Sequence, residues 1–146
     1  MAIAMPCIST SFTSISVLAI SPTPDDHSTL RTIFSRSRWT LRAADNLKAA
    51  FILLARDPVP VLICKHDLPD GDWRTLLRKA EILPRPPRVL VSARFPNDQL
   101  WEEVGNAGGY DVLNLPFEAR EVFCAVRLAW ESWHRQWERV HRRTHA

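Results

Sequence analysis

The segment VLICKHDLPDGDW, Val61 to Trp73, carries an ionisable run straight off an apolar stretch: Lys65, His66 and Asp67 follow Val61–Cys64 without a break. A lysine at such a junction has three uses. It can be a nucleophilic or Schiff-base amine tuned by burial, a fixed cation filling a polar cavity, or a solvated side chain at a rim. No acid–base set accompanies it in the sequence, so the fixed and solvated readings lead. Asp67 offers a carboxylate nucleophile, and His66 a phosphorylatable ring, although an isolated loop histidine is more often structural. Asp25 and Asp26 in SPTPDD read as exposed acids favouring a helix dipole. Ser92 closes RVLVSA with a hydroxyl, and His141 and His145 have i, i+4 metal spacing without a third ligand.

Those residues need elements to hold them, and apolar runs of strand length alternate with helical patterns along the whole chain. Strands are predicted at 16–21 (SVLAIS), 39–44 (WTLRAA), 59–64 (VPVLIC), 88–93 (RVLVSA) and 110–115 (YDVLNL). The third is apolar without alternation, as expected of a central strand buried on both faces, and the second is the weakest, as expected of an edge. Between them, Leu30, Ile33 and Phe34 mark one helix. Leu47, Ala50, Phe51 and Leu54 mark the next, with Asp45 as its N-cap. Asp72 caps a third helix bearing Trp73, Leu76, Leu77 and Ala80, which LPRPP terminates. A short fourth turns Leu100, Trp101 and Val104 inward, and everything from about Glu118 onward reads as one long helix. Strict βα alternation implies a parallel sheet with crossover helices.

Composition agrees with a single folded domain. The 146 residues are 46% hydrophobic and 24% charged, with a net charge of +3. That mild charge permits acidic partners without requiring them. Cys7, Cys64 and Cys124 are odd in number and have no C-x-x-C spacing, which fits free thiols in a reducing cytoplasm. Residues 1–14 lack a basic n-region and read as a leader rather than a secretory signal. No apolar run reaches membrane-spanning length.

Three segments carry a resemblance. LPDGDW after the third strand, the Ser-Ala ending of RVLVSA, and GGYDVLNLPFE resemble, in order and spacing, the L-P-D-x-D-G, Ser/Thr-Ala and G-A-x-D-Y-L-x-K-P-F segments of the receiver domain of bacterial two-component response regulators. The resemblance implies a flavodoxin-like, doubly wound, five-stranded parallel sheet with five helices. It also implies phosphoryl transfer from a histidine kinase to an aspartate, with Mg²⁺ held by acids, a hydroxyl and a lysine at the phosphate. Here the acceptor position, four residues before Pro69, is Lys65. The acid pair falls on Ser21 and Pro22, and the lysine position falls on Leu115; only Ser92 keeps the expected chemistry. The resemblance therefore implies a pseudo-receiver without cofactor, metal or enzymatic activity, with no small-molecule substrate. Asp67 as an alternative acceptor would break the spacing to Pro69.

The last helix departs most from the family. Residues 15–129 cover the receiver-like domain, and 130–146 extend the helix. Phe123, Val126, Trp130, Trp133, Trp137 and Val140 continue a 3-4-3-4-3 spacing like heptad a and d positions. Three tryptophans beyond the sheet predict an apolar stripe that seeks a protein partner or a second copy of the chain, with back-packing of the leader as the competing reading. Glu131–Arg135 and Glu138–Arg142 are spaced as i, i+4 pairs. The terminal arginines keep a basic nucleic-acid accessory role as a further alternative, although no reading module accompanies them.

Overall fold

The computed structural model describes residues 14–145, and side chains as far as residue 139. The leader through residue 13 with Cys7, and the side chains of Val140, His141, Arg142, Arg143 and His145, lie outside the described residues. The elements are β1 (Ser16–Ile20), α1 (Pro24–Phe34), β2 (Thr40–Ala44), α2 (Leu47–Arg56), β3 (Val61–Lys65), β4 (Asp67–Leu68), β5 (Gly71–Asp72), α3 (Trp73–Ala80), β6 (Arg88–Arg94), α4 (Asp98–Asn106), β7 (Asp111–Leu115) and α5 (Ala119–His145).

The main sheet is parallel throughout, in the order β2-β1-β3-β6-β7. β3 is thus central and β2 an edge, as the apolar patterns predict. Along β3 the side chains alternate between two cores. Val61 and Ile63 join Leu30, Ile33 and Phe34 of α1 and Val122, Ala125, Val126 and Ala129 of α5 on one face. Leu62 and Cys64 join Leu47, Leu54, Trp73, Leu76 and Val104 on the other. A five-residue strand buried on both sides needs this continuous apolar sequence, because each successive residue points into a different core. The fold is the doubly wound, flavodoxin-like arrangement with five helices.

Several local details differ from the sequence reading. Asn46, not Asp45, caps α2: its side chain accepts the Ala49 amide at 2.8 Å, so the helix starts one residue later. Trp101 is not inward but 44% exposed, because the buried stripe of the nine-residue α4 runs through Leu100 and Val104, and Trp101 lies a hundred degrees around the helix. The LPDGD loop closes as a small antiparallel hairpin of β4 and β5. At Gly71, φ is +154°, and a Cβ there would lie 2.6 Å from Leu47 Cδ1, so the hairpin's close seat on α2 requires glycine. On α5, Glu131 pairs with Arg127 at 3.2 Å rather than with Arg135, and Glu138 lies 3.2 Å from His134 Nε2, while the Arg142 side chain expected opposite Glu138 lies outside the described residues.

The extension of α5 is also covered differently. Trp130 packs against the α1–α5 core and stacks on His134 with ring centroids 4.9 Å apart. Beyond it, the loop after α3 folds onto the helix. Arg85 lies over Trp133 at 3.9 Å and over Trp137 at 3.8 Å, a guanidinium between two indoles. Arg88 secures the contact, its Nε donating to Ser132 Oγ at 3.0 Å and its Nη2 to Gln136 Oε1. Trp133 and Trp137 are consequently half-buried rather than an open stripe.

Candidate functional site

In an open α/β sheet the crevice for chemistry lies outside the carboxyl ends of the strands. Ser21 follows β1, Lys65 ends β3, and Ser92 sits near the end of β6, where Lys65 and Ser92 are register partners. The sheet therefore brings these three predicted residues side by side. Ser21 and Ser92 are buried, whereas Pro22 is exposed and turns the chain toward α1.

The Lys65 side chain crosses to the β1–α1 loop rather than to Ser92. Its Nζ donates to Thr23 Oγ1 at 2.8 Å and stands 3.9 Å from Asp26 Oδ2. Side-chain exposure is 27% for Lys65 and 13% for Asp26, so the pair is sheltered. Asp26 is held in turn by Ser21, whose Oγ donates to Asp26 Oδ2 at 2.7 Å and accepts the Thr23 amide at 3.0 Å. Asp26 is thus part of the pocket, a correction to its reading as an exposed acid; its neighbour Asp25 is exposed as expected. The reason is helical geometry: with Pro24 opening α1, the second acid turns back over the strand ends while the first faces solvent.

His27 completes the network from below. It is buried, and its Nε2 lies 2.8 Å from the Ser21 carbonyl oxygen. A carbonyl only accepts, so Nε2 carries a proton, and Nδ1 has no hydrogen-bond partner among the described residues. Thr23 and His27 were not legible as site residues, since neither belongs to a spacing pattern.

Leu115 is buried among apolar neighbours including Ala19, Leu30, Ile63 and Phe117, and contributes no polar atom. His66 and Asp67 lie outside the network, facing solvent, with His66 Nδ1 3.1 Å from Asp67 Oδ2 and the Asp67 side chain 82% exposed. With Lys65, Ser92, Arg94, Phe95 and Asn97 they line a cavity of about 340 Å³. Phe95 there has φ +50° and is 92% exposed, an unusual backbone for a bulky residue.

The loop that follows is anchored by carboxylates. Asp70 accepts the Leu47 amide at 2.9 Å and the Lys48 amide at 3.1 Å, capping α2 from outside. The Leu47 amide chiefly holds its carboxyl below the usual range. Burial disfavours ionisation of Asp72, but the amides of Thr75 and Arg74 outweigh it and its pKa is also lowered. Cys64, one residue before Lys65, is buried; that burial first, and the Asp72 charge second, push its thiol far above the ordinary range, which makes it unreactive.

No family model matches the sequence, and no curated protein matches it. Solved structures do match. The signal receiver domain of an HD domain-containing protein from Pseudomonas fluorescens Pf-5 superposes with a TM-score of 0.77 at 27% identity, over 90% of this chain and 98% of that one. The chain has the receiver-domain fold. Two more distant matches agree on the fold. A two-component response regulator from Clostridium difficile has a TM-score of 0.71 at 19% identity over 80% of this chain and 96% of its own. The chemotaxis response regulator CheY4 of Vibrio cholerae has 0.73 at 13% identity over 80% and 99%. Within the receiver fold, Ser21, Lys65 and Ser92 occupy the ends of the three adjacent strands β1, β3 and β6. Among the described residues no group of three or more His, Cys, Asp or Glu side chains could hold a metal, and no helix is long and apolar enough to cross a membrane.

Proposed function

We propose that this chain is a receiver-like signalling module of the two-component type that takes no phosphoryl group at the end of β3 and acts through protein–protein contact. The observation that carries the reading is the Lys65 ammonium, fixed on Thr23 Oγ1 and beside Asp26 where the resemblance would place an acceptor carboxylate. Phosphoryl transfer to a carboxylate needs a nucleophile, a divalent cation and a lysine at the phosphate. Lys65 has no carboxylate to offer, Ser21 and Pro22 no charge for a metal, and Leu115 no cation. Mg²⁺ does not fit this donor set. A hard dication wants charged oxygens, and here an ammonium already neutralises the nearby acid.

With the pocket occupied by its own cation, the loop after β1 and the end of β3 are tied in one arrangement. Such a module, not an enzyme and at work in the cytoplasm, presents a constant surface. In this reading α5 supplies a contact for a protein partner or a second copy, through Trp130 and the helix beyond it. Arg85 narrows that surface by covering Trp133 and Trp137.

The test is incubation with a small acyl-phosphate donor and Mg²⁺ followed by intact mass. No stable phosphoryl adduct is expected, either for the natural chain or for Lys65→Asp, because the metal positions are still Ser21 and Pro22. A stable adduct on the natural chain, abolished by Asp67→Asn, would overturn the reading in favour of Asp67 as acceptor. Light scattering of the full chain against a truncation after Trp130 examines the helix: equal monomers at high concentration would remove self-association through α5.

A further inference from the structure

Where α1 ends beside the start of α5, the surface carries guanidinium charge that forms no ion pair among the described residues. A groove of about 830 Å³ runs between the C-terminal turn of α1 with the loop after it and the first turns of α5, lined among others by Arg36, Arg38, Glu118, Arg120 and Phe123. Arg36, Arg38 and Arg120 are exposed and form no ion pair among the described residues. The one acid of the groove is spent on its own helix: Glu118 Oε2 accepts the Arg120 amide at 3.0 Å and Oε1 the Glu121 amide at 3.1 Å. Residues 1–13, which precede the nearby Ser14, contain no Asp or Glu, so the leader supplies no counter-charge. Ser14 itself donates to the Arg38 carbonyl oxygen at 3.2 Å.

Two arginines elsewhere are paired with acids, Arg42 with Asp57 at 3.2 Å and Arg74 with Glu103 at 3.0 Å. What sets Arg36, Arg38 and Arg120 apart from other exposed arginines without an ion pair, such as Arg56 and Arg78, is that the three line one concave groove. The hydroxyls there are already committed, Ser35 Oγ donating to the Thr32 carbonyl and Ser37 Oγ to that of Phe34. A small anion needs several oriented donors to be held, whereas an extended acidic chain needs charge along a groove. Aromatic bodies lie beneath, Phe123 against Phe34 and Trp39, a floor suited to the apolar stems of a peptide.

We infer that this groove is the docking site for an acidic segment of a partner protein, with carboxylates set against Arg36, Arg38 and Arg120. The inference rests on the reading of the chain as a protein-interaction module and gives that partner a chemical class. It is independent of Lys65, so a negative result here leaves the phosphodonor experiment standing, and the reverse.

The test uses the full chain and three fluorescent or competing probes: an oligoglutamate peptide, inorganic pyrophosphate and a single-stranded oligonucleotide. The peptide is expected to bind with an affinity that falls as salt rises. Arg36→Ser/Arg38→Ser/Arg120→Ser is expected to weaken it about tenfold or more. Arg56→Ser/Arg78→Ser, exposed arginines of α2 and α3 outside the groove, controls for net charge and should leave binding within about twofold of the natural chain, as screened distant charges do. The three residues are exposed, so folding of the triple variant is checked by circular dichroism. Absence of peptide binding overturns the inference, as does equal loss in the control. Tighter binding of pyrophosphate would make the groove a small-anion site instead. Tighter binding of the oligonucleotide would make it a nucleic-acid contact.

Discussion

Lys65 at the end of β3 and Arg85 in the loop after α3 are both half-buried cations, and they are held by opposite means. Lys65 is satisfied by polar atoms, the Thr23 hydroxyl at 2.8 Å and the Asp26 carboxylate at 3.9 Å, and Ser21 Oγ donates to that carboxylate and accepts the Thr23 amide. Arg85 makes no ion pair among the described residues, and its buried Nε lacks a hydrogen-bond partner. Its guanidinium instead lies over the rings of both Trp133 and Trp137. Burial lowers the Arg85 pKa, and nothing opposes that shift. The difference follows from side-chain shape. A compact ammonium directs three donors at acceptors, whereas a flat, weakly hydrated guanidinium is stabilised by stacking. One cation ties two loops of the sheet crevice together, and the other straps the far end of α5 to the body of the domain.

The contrast predicts a larger stability effect at the first site. Lys65→Met leaves the sheltered Asp26 carboxylate without its counter-charge and should lower unfolding free energy by about 2 kcal/mol. Adding Asp26→Asn should return part of that loss, because the residual cost is an unpaired acid; equilibrium urea unfolding of the four members of the cycle measures the coupling. Strict additivity of the two changes would mean that the 3.9 Å contact carries no energy. At the second site, Arg85→Ala should cost about 1 kcal/mol, the order expected for cation–π contacts. Arg85→Lys should be nearly as costly, since it restores charge without the flat face. The accompanying observable is tryptophan emission, expected to shift to the red as two indoles become wetter. An Arg85→Lys variant indistinguishable from the natural chain would make the contact a matter of charge and erase the contrast.

Both sites were half legible in the sequence, and the missing halves have a common origin. Continuous hydrophobicity in VLIC marks a strand buried on both faces, and β3 is the central strand with Lys65 at its end. Spacing to Pro69 put Lys65 at the acceptor position, and register pairing sets it beside Ser92. Its partners were not legible, because Thr23 lies in the irregular loop after β1 and Asp26 in the first turn of α1, whose direction that loop sets. The periodicity of Trp130, Trp133 and Trp137 marked an apolar face on α5 in the same way. What covers it was hidden, since LPRPP reads as a helix terminator and periodic patterns give no weight to a lone arginine in a proline-rich loop. Repeating elements announce themselves through spacing. Loop contacts depend on where the chain is carried in three dimensions.

Acid separates the two regions with a smaller effect. The stretch after Lys65 is pinned to α2 by Asp70, whose carboxyl is held below its usual range first by the Leu47 amide and also by that of Lys48. A lowered folded-state pKa contributes stability that is complete above the unfolded value, near 4, and is lost as pH falls through the folded value. Asp70→Asn should therefore be less stable than the natural chain at pH 6, and the difference should shrink steadily toward pH 3. The strap around Arg85 has no such group: its contacts are two indoles, and those of its neighbour Arg88 are the Ser132 hydroxyl and the Gln136 amide. The deficit of Arg85→Ala should accordingly stay constant over the same range. Urea unfolding of the three proteins at pH 6, 4.5 and 3 makes the comparison. A pH-independent deficit for Asp70→Asn would show that the amides of α2 bind a neutral acceptor equally well. The crevice would then be no more sensitive to acid than the stacked arginine at the opposite end of the molecule.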